Sequence, residues 1–161
     1  LIDGCESYNI FKYDAQANEY QFIGQTFNNQ NTFKVIGLKD ASEYKFKVRA
    51  NKANVACEES DVFSTVTTPK RVSNKSVKSR SRRKITYSFK KVNATGYEYQ
   101  WSTYRNFKHN FKTKTTKSTR VTIKTAQSRK RYYVRVRAYK LDENKNKVYG
   151  SWSKVKRVKV R

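Results

Sequence analysis

The chain of 161 residues contains no methionine, one proline, one histidine, two cysteines and five glycines. Two cysteines and one histidine cannot supply the four ligands of a structural zinc site. No apolar run approaches the roughly 18 residues that a membrane-spanning helix needs. We therefore expect a protein without a metal ion or other cofactor and without membrane insertion.

Side chains suited to catalysis are also scarce. The single histidine, His109, lies in the segment FKHNFK, with no carboxylate or nucleophile patterned around it. General acid–base catalysis needs a titrating group held close to its substrate, so we interpret His109 as a solvated loop residue. The segment YDAQANEY at 13–20 is typical of a hairpin connection rather than of a calcium loop with alternating oxygen ligands. We expect no catalytic residue in this chain.

Acidic side chains are the third shortage. The chain has 37 Lys and Arg against 12 Asp and Glu, which is a formal net charge of +25. Residues 1–69 carry 7 basic and 9 acidic side chains, whereas residues 70–161 carry 30 basic and 3 acidic ones. This asymmetry predicts that the second half meets an anionic partner.

What the sequence does contain is an internal repeat. The stretch YKFKVRANK at 44–52 returns almost unchanged as YYVRVRAYK at 132–140. Three pairs of residues match between the halves at offsets of 89, 88 and 93 residues: Tyr8 with Tyr97, Tyr44 with Tyr132, and Ser60 with Ser153. The pattern predicts one module of about 90 residues that occurs twice, as domains 1–69 and 70–161.

Both copies alternate apolar and polar residues, which is the pattern of half-buried strands. In the second copy this pattern runs through KITYSFK, GYEYQWS, RVTIKT, RYYVRVRAYK and WSKVKRVKV. The fold class is therefore all-β, with two sheets packed face to face in the second copy. The predicted core side chains are Ile85, Tyr87, Phe89, Tyr97, Tyr99, Trp101, Val121, Ile123, Tyr132, Val134, Val136 and Ala138. Val155, Val158 and Val160 can all point inward only if a bulge intervenes near Arg157.

The segment LKDASEYKFKVRA at 38–50 resembles the E–F turn and F strand of a fibronectin type III domain, with Leu38 and Tyr44 in the places of that family's tyrosine corner. In the second copy the corner residue is Tyr132, and Ala126 stands where leucine is expected, which should loosen that corner. The resemblance implies tandem immunoglobulin-like β-sandwiches. The Lys-rich composition, with ATGYEYQWS followed by YYVRVRAYK and YGSWSKVK, is most similar to that of tandem modules of secreted or surface proteins of Gram-positive bacteria, which implies an extracellular or cell-wall location.

The first copy is short at its beginning. Aligning Tyr8 with Tyr97 places Leu1 opposite Lys90, so this copy lacks the region that corresponds to strands A and B. It can supply strands C, E, F and G, but the E strand would have no partner, and Phe33 and Val35 would lie partly open. We expect the missing strands to come from residues before Leu1 in the parent protein or from another chain.

Trp152, in the segment GSWS, resembles half of the Trp-Ser repeat of cytokine receptors, in which tryptophans interleave with strand F arginines. Here Arg135 and Arg137 are the outward arginines that could stack on Trp152. We interpret the three residues as a structural cation–π ladder rather than as a ligand site. The second half of the repeat is absent, since Lys154 follows Ser153 directly.

The two cysteines are predicted to pair. On the topology that the resemblance implies, Cys5 precedes strand C and Cys57 lies in the F–G connection, so both reach the same end of one sheet. An extracellular location permits a disulfide. We expect a Cys5–Cys57 bridge, with two free thiols as the alternative.

The densest basic segment, residues 70–91, carries ten Lys and Arg and no acid. If strands A, B and E form one sheet, its outer face and the adjoining turn hold the predicted polyanion-binding residues Arg80, Arg82, Arg83, Lys84, Lys90, Arg120 and Lys124. Expected partners are an anionic polysaccharide such as a sulfated glycan, or teichoic acid, and upstream domains of the same polypeptide. The alternatives are a spacer with a merely solvated basic surface, and non-specific binding of nucleic acid through its backbone.

Overall fold

The computed structural model describes residues 5–27, 30–52, 55–124 and 127–161, which form thirteen β-strands and contain no helix. In this part of the chain nothing therefore has the length and apolarity of a membrane-crossing helix. The chain divides into two compact units, unit 1 (Leu1–Thr67) and unit 2 (Thr68–Arg161).

Unit 1 consists of one antiparallel sheet with the strand order β2-β1-β3-β4, in which β5 also pairs with β3. The strands are β1 (Ser7–Asp14), β2 (Glu19–Gln25), β3 (Glu43–Lys52), β4 (Val55–Glu59) and β5 (Phe63–Val66). The β1–β2 connection is the predicted hairpin. Asp14 Oδ1 accepts hydrogen bonds from the backbone N–H groups of Gln16 and Ala17 at 2.8 and 3.3 Å, which closes the turn.

One face of the unit 1 sheet is open among the described residues. An apolar trough of about 530 Å³ runs along it, lined by Tyr8, Ile10, Thr26, Asn31, Phe33, Val35, Phe46, Val48 and Phe63. The predicted E strand is absent, because residues 30–42 form no strand. The ring of Phe33 lies over Gly24 so closely that a Cβ there would overlap Phe33 Cζ. A β-strand is stabilised by backbone hydrogen bonds to a neighbouring strand, and no described strand pairs with residues 30–42.

Unit 2 is a sandwich of two antiparallel sheets. The first has the order β10-β7-β6, and the second has the order β12-β11-β8-β9, with β13 also paired to β11. The strands are β6 (Asn74–Lys78), β7 (Ile85–Phe89), β8 (Gly96–Ser102), β9 (Phe111–Thr116), β10 (Arg120–Ile123), β11 (Arg131–Leu141), β12 (Lys147–Tyr149) and β13 (Lys156–Lys159).

The core between these sheets contains all twelve side chains that alternation predicts, together with Val72 and Val160. Tyr87 is fully buried, and burial raises its pKa to about 12 even though a hydrogen bond with Ser153 opposes the shift. Val155 is 36% exposed, whereas Val158 packs against the core and Val160 is buried. The last strand thus keeps simple alternation and pairs Arg157 with Tyr133 in register, so no bulge is needed there.

The predicted disulfide is wrong. Cys5 and Cys57 are both free thiols. Cys5 lies just before β1, on one side of β3, and its thiol donates to Ser7 O at 3.0 Å. Cys57 belongs to β4, on the other side of β3. Two strand spacings amount to about 10 Å, which exceeds the roughly 7 Å between α-carbons that a disulfide tolerates.

Candidate functional site

The repeat is reproduced in hydrogen bonds. In both units a serine late in the unit's sequence is hydrogen-bonded to a valine of a long β-strand. Ser60 Oγ accepts a hydrogen bond from Val48 N at 3.0 Å, and Ser153 Oγ accepts one from Val136 N at 3.0 Å. The two serines also donate their backbone N–H groups to the same valines' carbonyls, at 2.7 and 2.8 Å. The matched positions therefore perform the same local task in both units.

The predicted corner tyrosines behave alike as well. Tyr44 Oη accepts a hydrogen bond from Lys39 N at 2.8 Å, and Tyr132 Oη accepts one from Gln127 N at 2.9 Å. Each bond reaches back five residues and fastens the connection before a long strand. The predicted effect of Ala126 falls outside the described residues.

Trp152, Arg135 and Arg137 lie together on the outer face of the larger sheet of unit 2. The guanidinium carbon of Arg135 is 4.2 Å from the ring centroids of both Phe107 and Trp152. That of Arg137 is 4.4 Å from the centroid of Trp152 and 3.7 Å from that of Tyr149. The five side chains form an alternating stack, which we call the ladder, of three aromatic rings and two cations.

The ladder is tied to β8 by charge-assisted hydrogen bonds. Arg135 donates twice to Gln100 Oε1, at 2.9 and 2.7 Å. Arg137 donates to Glu98 Oε1 at 2.9 Å. Tyr149 donates to Glu98 Oε2 at 3.0 Å, and its pKa is raised by burial and by this bond. These cations are therefore engaged inside the protein, which favours a structural role for the ladder.

Unit 1 has different side chains at the positions that correspond to the ladder. At the repeat offsets, Lys47 and Arg49 correspond to the ladder arginines and Glu59 corresponds to the tryptophan. Lys47 Nζ is 3.1 Å from Glu59 Oε2, and Arg49 lies over the ring of Phe11, with its guanidinium carbon 5.1 Å from the centroid. An ion pair in unit 1 thus takes the place of the central ring in unit 2.

Replacing the central ring of the ladder should destabilise unit 2. We expect Trp152→Ala to lower the free energy of unfolding of residues 68–161 by about 1–2 kcal/mol, because two cation–π contacts are lost. Trp152→Phe should retain part of this energy. Urea unfolding of the three proteins measures the difference, and a Trp152→Ala loss below about 0.3 kcal/mol would show that the stack contributes nothing.

The predicted polyanion-binding residues lie at the smaller sheet of unit 2. Strand β7 buries Ile85, so its neighbour Lys84 points to the outer face, and the same alternation directs Lys90, Arg120 and Lys124 outward. All four are exposed. The register that pairs Ile123 with Ile85 places Lys124 beside Lys84. Like charges directly opposite each other destabilise a sheet, so an anion between them would relieve that repulsion.

The arginines of the segment 80–83 occupy the β6–β7 connection, at one end of the same sheet. Arg80, Arg82 and Arg83 are exposed. Arg83 has a positive φ of 56°, and its backbone N–H donates to Arg161 O at 3.0 Å, which fixes the turn. None of the seven predicted residues forms an ion pair with a carboxylate among the residues that the structure describes. The structure therefore brings the seven cations to one sheet and its adjoining turn.

Four hydroxyl groups lie between these cations and were not predicted as part of the site. Ser88 and Thr86 alternate with the core residues of β7, and the register places Ser76 beside Ser88 and Thr122 beside Thr86. The Ser76 and Ser88 oxygens are 3.3 Å apart. The outward positions of KITYSFK could have revealed two of them. Hydroxyls beside cations can donate hydrogen bonds to phosphate, sulfate or carboxylate oxygens.

The acids of unit 2 lie elsewhere. Glu98 is 8% exposed and is paired with the ladder, and Asp142 and Glu143 lie at the β11–β12 connection. His109 is exposed in the β8–β9 connection, with its ring 6.2 Å from that of Tyr104 in an edge-on contact. The basic sheet face has no carboxylate of its own, so its potential is available to an external anion.

No protein-family model and no curated protein matches this sequence. Solved structures do resemble it. The FN1-FN3 domains of chicken CNTN1 align with 96% of this chain at 16% identity and a TM-score of 0.51, and this chain spans 54% of that structure. A two-domain fibronectin type III segment of chicken tenascin aligns with 98% of this chain and 87% of its own length, at 13% identity and a TM-score of 0.49.

A third structure is the sixth fibronectin type III domain of human fibronectin type III domain containing protein 3. It aligns with 58% of this chain and 87% of its own length, at 18% identity and a TM-score of 0.47. The CNTN1 likeness and the three-plus-five strand arrangement of unit 2 agree on the architecture. The chain has the all-β fold of tandem fibronectin type III β-sandwiches, and in the first copy the described residues form one sheet, without strands A, B and E.

Proposed function

We propose that this chain is a noncatalytic, extracellular binding region of a bacterial surface or secreted protein, and that unit 2 holds an anionic cell-surface polymer such as teichoic acid or a sulfated glycan. The observation that carries the proposal is the outer face of the β6-β7-β10 sheet. Its cations lack acidic partners among the described residues, and hydroxyls lie between them. When the cations of this face neutralise anionic groups of the polymer, the polymer releases its bound counterions, which favours binding.

A spacer without a ligand is the second candidate. It is favoured by the tandem repeat, since one fold can host spacers as well as binding modules. Salt separates the two candidates, because binding through counterion release weakens steeply as salt rises and a spacer has no affinity to lose.

The test is retention of residues 1–161 on immobilised wall teichoic acid and on heparin across a salt series. We expect substitution of Arg80, Arg82, Lys84 and Lys124 by glutamate to reduce the affinity at least about tenfold and to reduce the salt slope by about three. Arg83 is left unchanged because its φ is positive.

The matched control reverses four exposed lysines away from this sheet, namely Lys108, Lys112, Lys114 and Lys147, none of which has a positive φ. Equal losses in both variants would show that net charge rather than this face determines binding. No retention of the unmodified chain at low salt would favour the spacer. Duplex DNA bound as tightly as teichoic acid at matched charge would point to nucleic acid instead.

A further inference from the structure

Two hollows lie side by side along β13, away from the outer face of the smaller sheet. The first, of about 390 Å³, is lined by Arg71, Val72, Ser73, Asn74, Lys154 and Lys156. The second, of about 510 Å³, is lined by Arg105, Tyr133, Val155, Lys156 and Arg157. Lys156 lines both, so the hollows are neighbours that meet at this residue, and together we call them the β13 cleft.

The first hollow is held open by hydrogen bonds between its walls. Arg71 Nε donates to Trp152 O at 2.7 Å, and Asn74 Nδ2 donates to Lys154 O at 2.6 Å. These bonds fasten the segment before β13 to the segment that begins β6. The bond from Nε orients the guanidinium of Arg71 and leaves its two terminal nitrogens available to a ligand. The site is therefore partly organised before any ligand arrives.

The charge of the cleft is of one sign. Five cationic side chains line it and no carboxylate does, and none of these cations pairs with an acid among the described residues. A concave wall of one sign concentrates anions more strongly than a flat surface does, because the low-dielectric walls focus the field. The cleft thus suits a ligand with at least two anionic groups, one in each hollow.

The second hollow differs from the flat sheet face in having an apolar surface. Tyr133 is half-buried in its wall and Val155 is 36% exposed. The tyrosine ring offers a flat apolar surface against which a ring of the ligand can lie. The guanidinium groups on either side can then contact charged substituents of that ligand ring. A polyol-phosphate chain has no ring to fill this position.

We propose that the β13 cleft is a second anion site that binds a short, anionic oligosaccharide. One sugar ring lies against Tyr133, with its charged groups at Arg105 and Arg157. Lys156 bridges to a second charged group held by Arg71 and Lys154. The sheet face would hold the anionic groups of a polymer through its charges and hydroxyls, whereas the cleft selects a sugar ring, and the cleft does not depend on the sheet face being used.

The experiment is an NMR titration of residues 1–161 with a sulfated, heparin-derived tetrasaccharide at low salt. We expect amide shifts at 71–74 and 154–157. We expect the double variant Lys154→Glu/Lys156→Glu to weaken binding about tenfold or more, since charge-assisted hydrogen bonds are lost. Lys117→Glu/Lys159→Glu makes the same charge change on exposed residues outside the cleft and should cost less than about twofold.

Inorganic tripolyphosphate tests the role of the sugar. Tyr133→Ala should weaken the tetrasaccharide and leave tripolyphosphate unaffected. Tripolyphosphate bound as tightly as the tetrasaccharide, with no effect of Tyr133→Ala on either, would overturn the choice of a sugar. Equal losses in the two lysine variants would overturn the site itself.

The outcome also separates the two anion sites. Tetrasaccharide shifts confined to 84–90 and 120–124, abolished by the four-residue sheet-face variant, would reject the cleft and leave the polymer proposal standing. Shifts at the cleft, together with unchanged retention of the four-residue sheet-face variant on both polymers, would reject the sheet face as the polymer site and leave the cleft standing.

Discussion

Residues 1–67, expressed without residues 68–161, are expected to bind a hydrophobic dye strongly and to exchange their backbone amides quickly. The reason is the open face of the unit 1 sheet. Phe33 is 38% exposed and Phe63 is 65% exposed, and both line the apolar trough. Each large apolar side chain left in water forgoes about 1.5–3 kcal/mol of burial, which a unit of this size cannot easily lose.

Residues 68–161 provide the internal comparison, because their two sheets bury the corresponding face. We expect this fragment to unfold cooperatively on heating and to show slow amide exchange in β7, β8 and β11. Dye fluorescence and hydrogen exchange of both fragments measure the contrast. A cooperative transition with slow exchange in the fragment 1–67 would contradict the prediction, since it would mean that the open face does not limit stability.

Phe89→Ala is expected to be the most damaging single substitution considered for unit 2. Phe89 is 1% exposed, and its ring centroid lies 4.9 Å from that of Tyr97 and 5.5 Å from that of Tyr87. Removing the ring leaves a cavity between the two sheets that these neighbours cannot fill. The expected loss is about 3–5 kcal/mol in the free energy of unfolding, measured by urea titration of residues 68–161.

Phe111→Ala is the matched control for this substitution. It removes the same ring from β9, where Phe111 is 46% exposed, so the loss should stay below about 1 kcal/mol. Similar losses at the two positions would contradict the assigned core. A loss of less than about 1 kcal/mol at Phe89 would mean that the sheets pack around some other centre.

Alternation along single strands predicted the inward face of unit 2 correctly. In β11 the predicted core residues Tyr132, Val134, Val136 and Ala138 are all buried, whereas their neighbours are not. This part of the fold is readable because successive side chains of a strand point to opposite faces whatever the strand's neighbours are. The all-β class follows from the same local rule.

Alternation failed in β8, where every residue from Gly96 to Ser102 is buried. Glu98 and Gln100 point away from the core, but Arg137 and Arg135 cover them from the adjacent strand. The covering stack includes Phe107 and residues from the end of the chain, which are distant in sequence. No pattern within β8 itself indicates a second covering layer.

Of the two candidate sites, one could be predicted from the sequence and the other could not. The cations of the sheet face could be assigned because strands β7 and β10 each carry their own alternation and the resemblance paired them. The β13 cleft was missed because its walls come from residues 71–74, 105, 133 and 154–157. Their proximity depends on the packing of a sandwich edge and not on any spacing in the sequence.

The sequence by itself determined the repeat, the strand content, the inward faces and the concentration of positive charge in the second half. These properties depend on residue identity and on short-range periodicity. Only the tertiary structure decided that Cys5 and Cys57 lie on opposite sides of β3, that residues 30–42 form no strand, and that Phe107 and Tyr149 extend the ladder. Each of these depends on which strands become neighbours, and that choice is made by hydrogen bonding and packing between residues far apart in the chain.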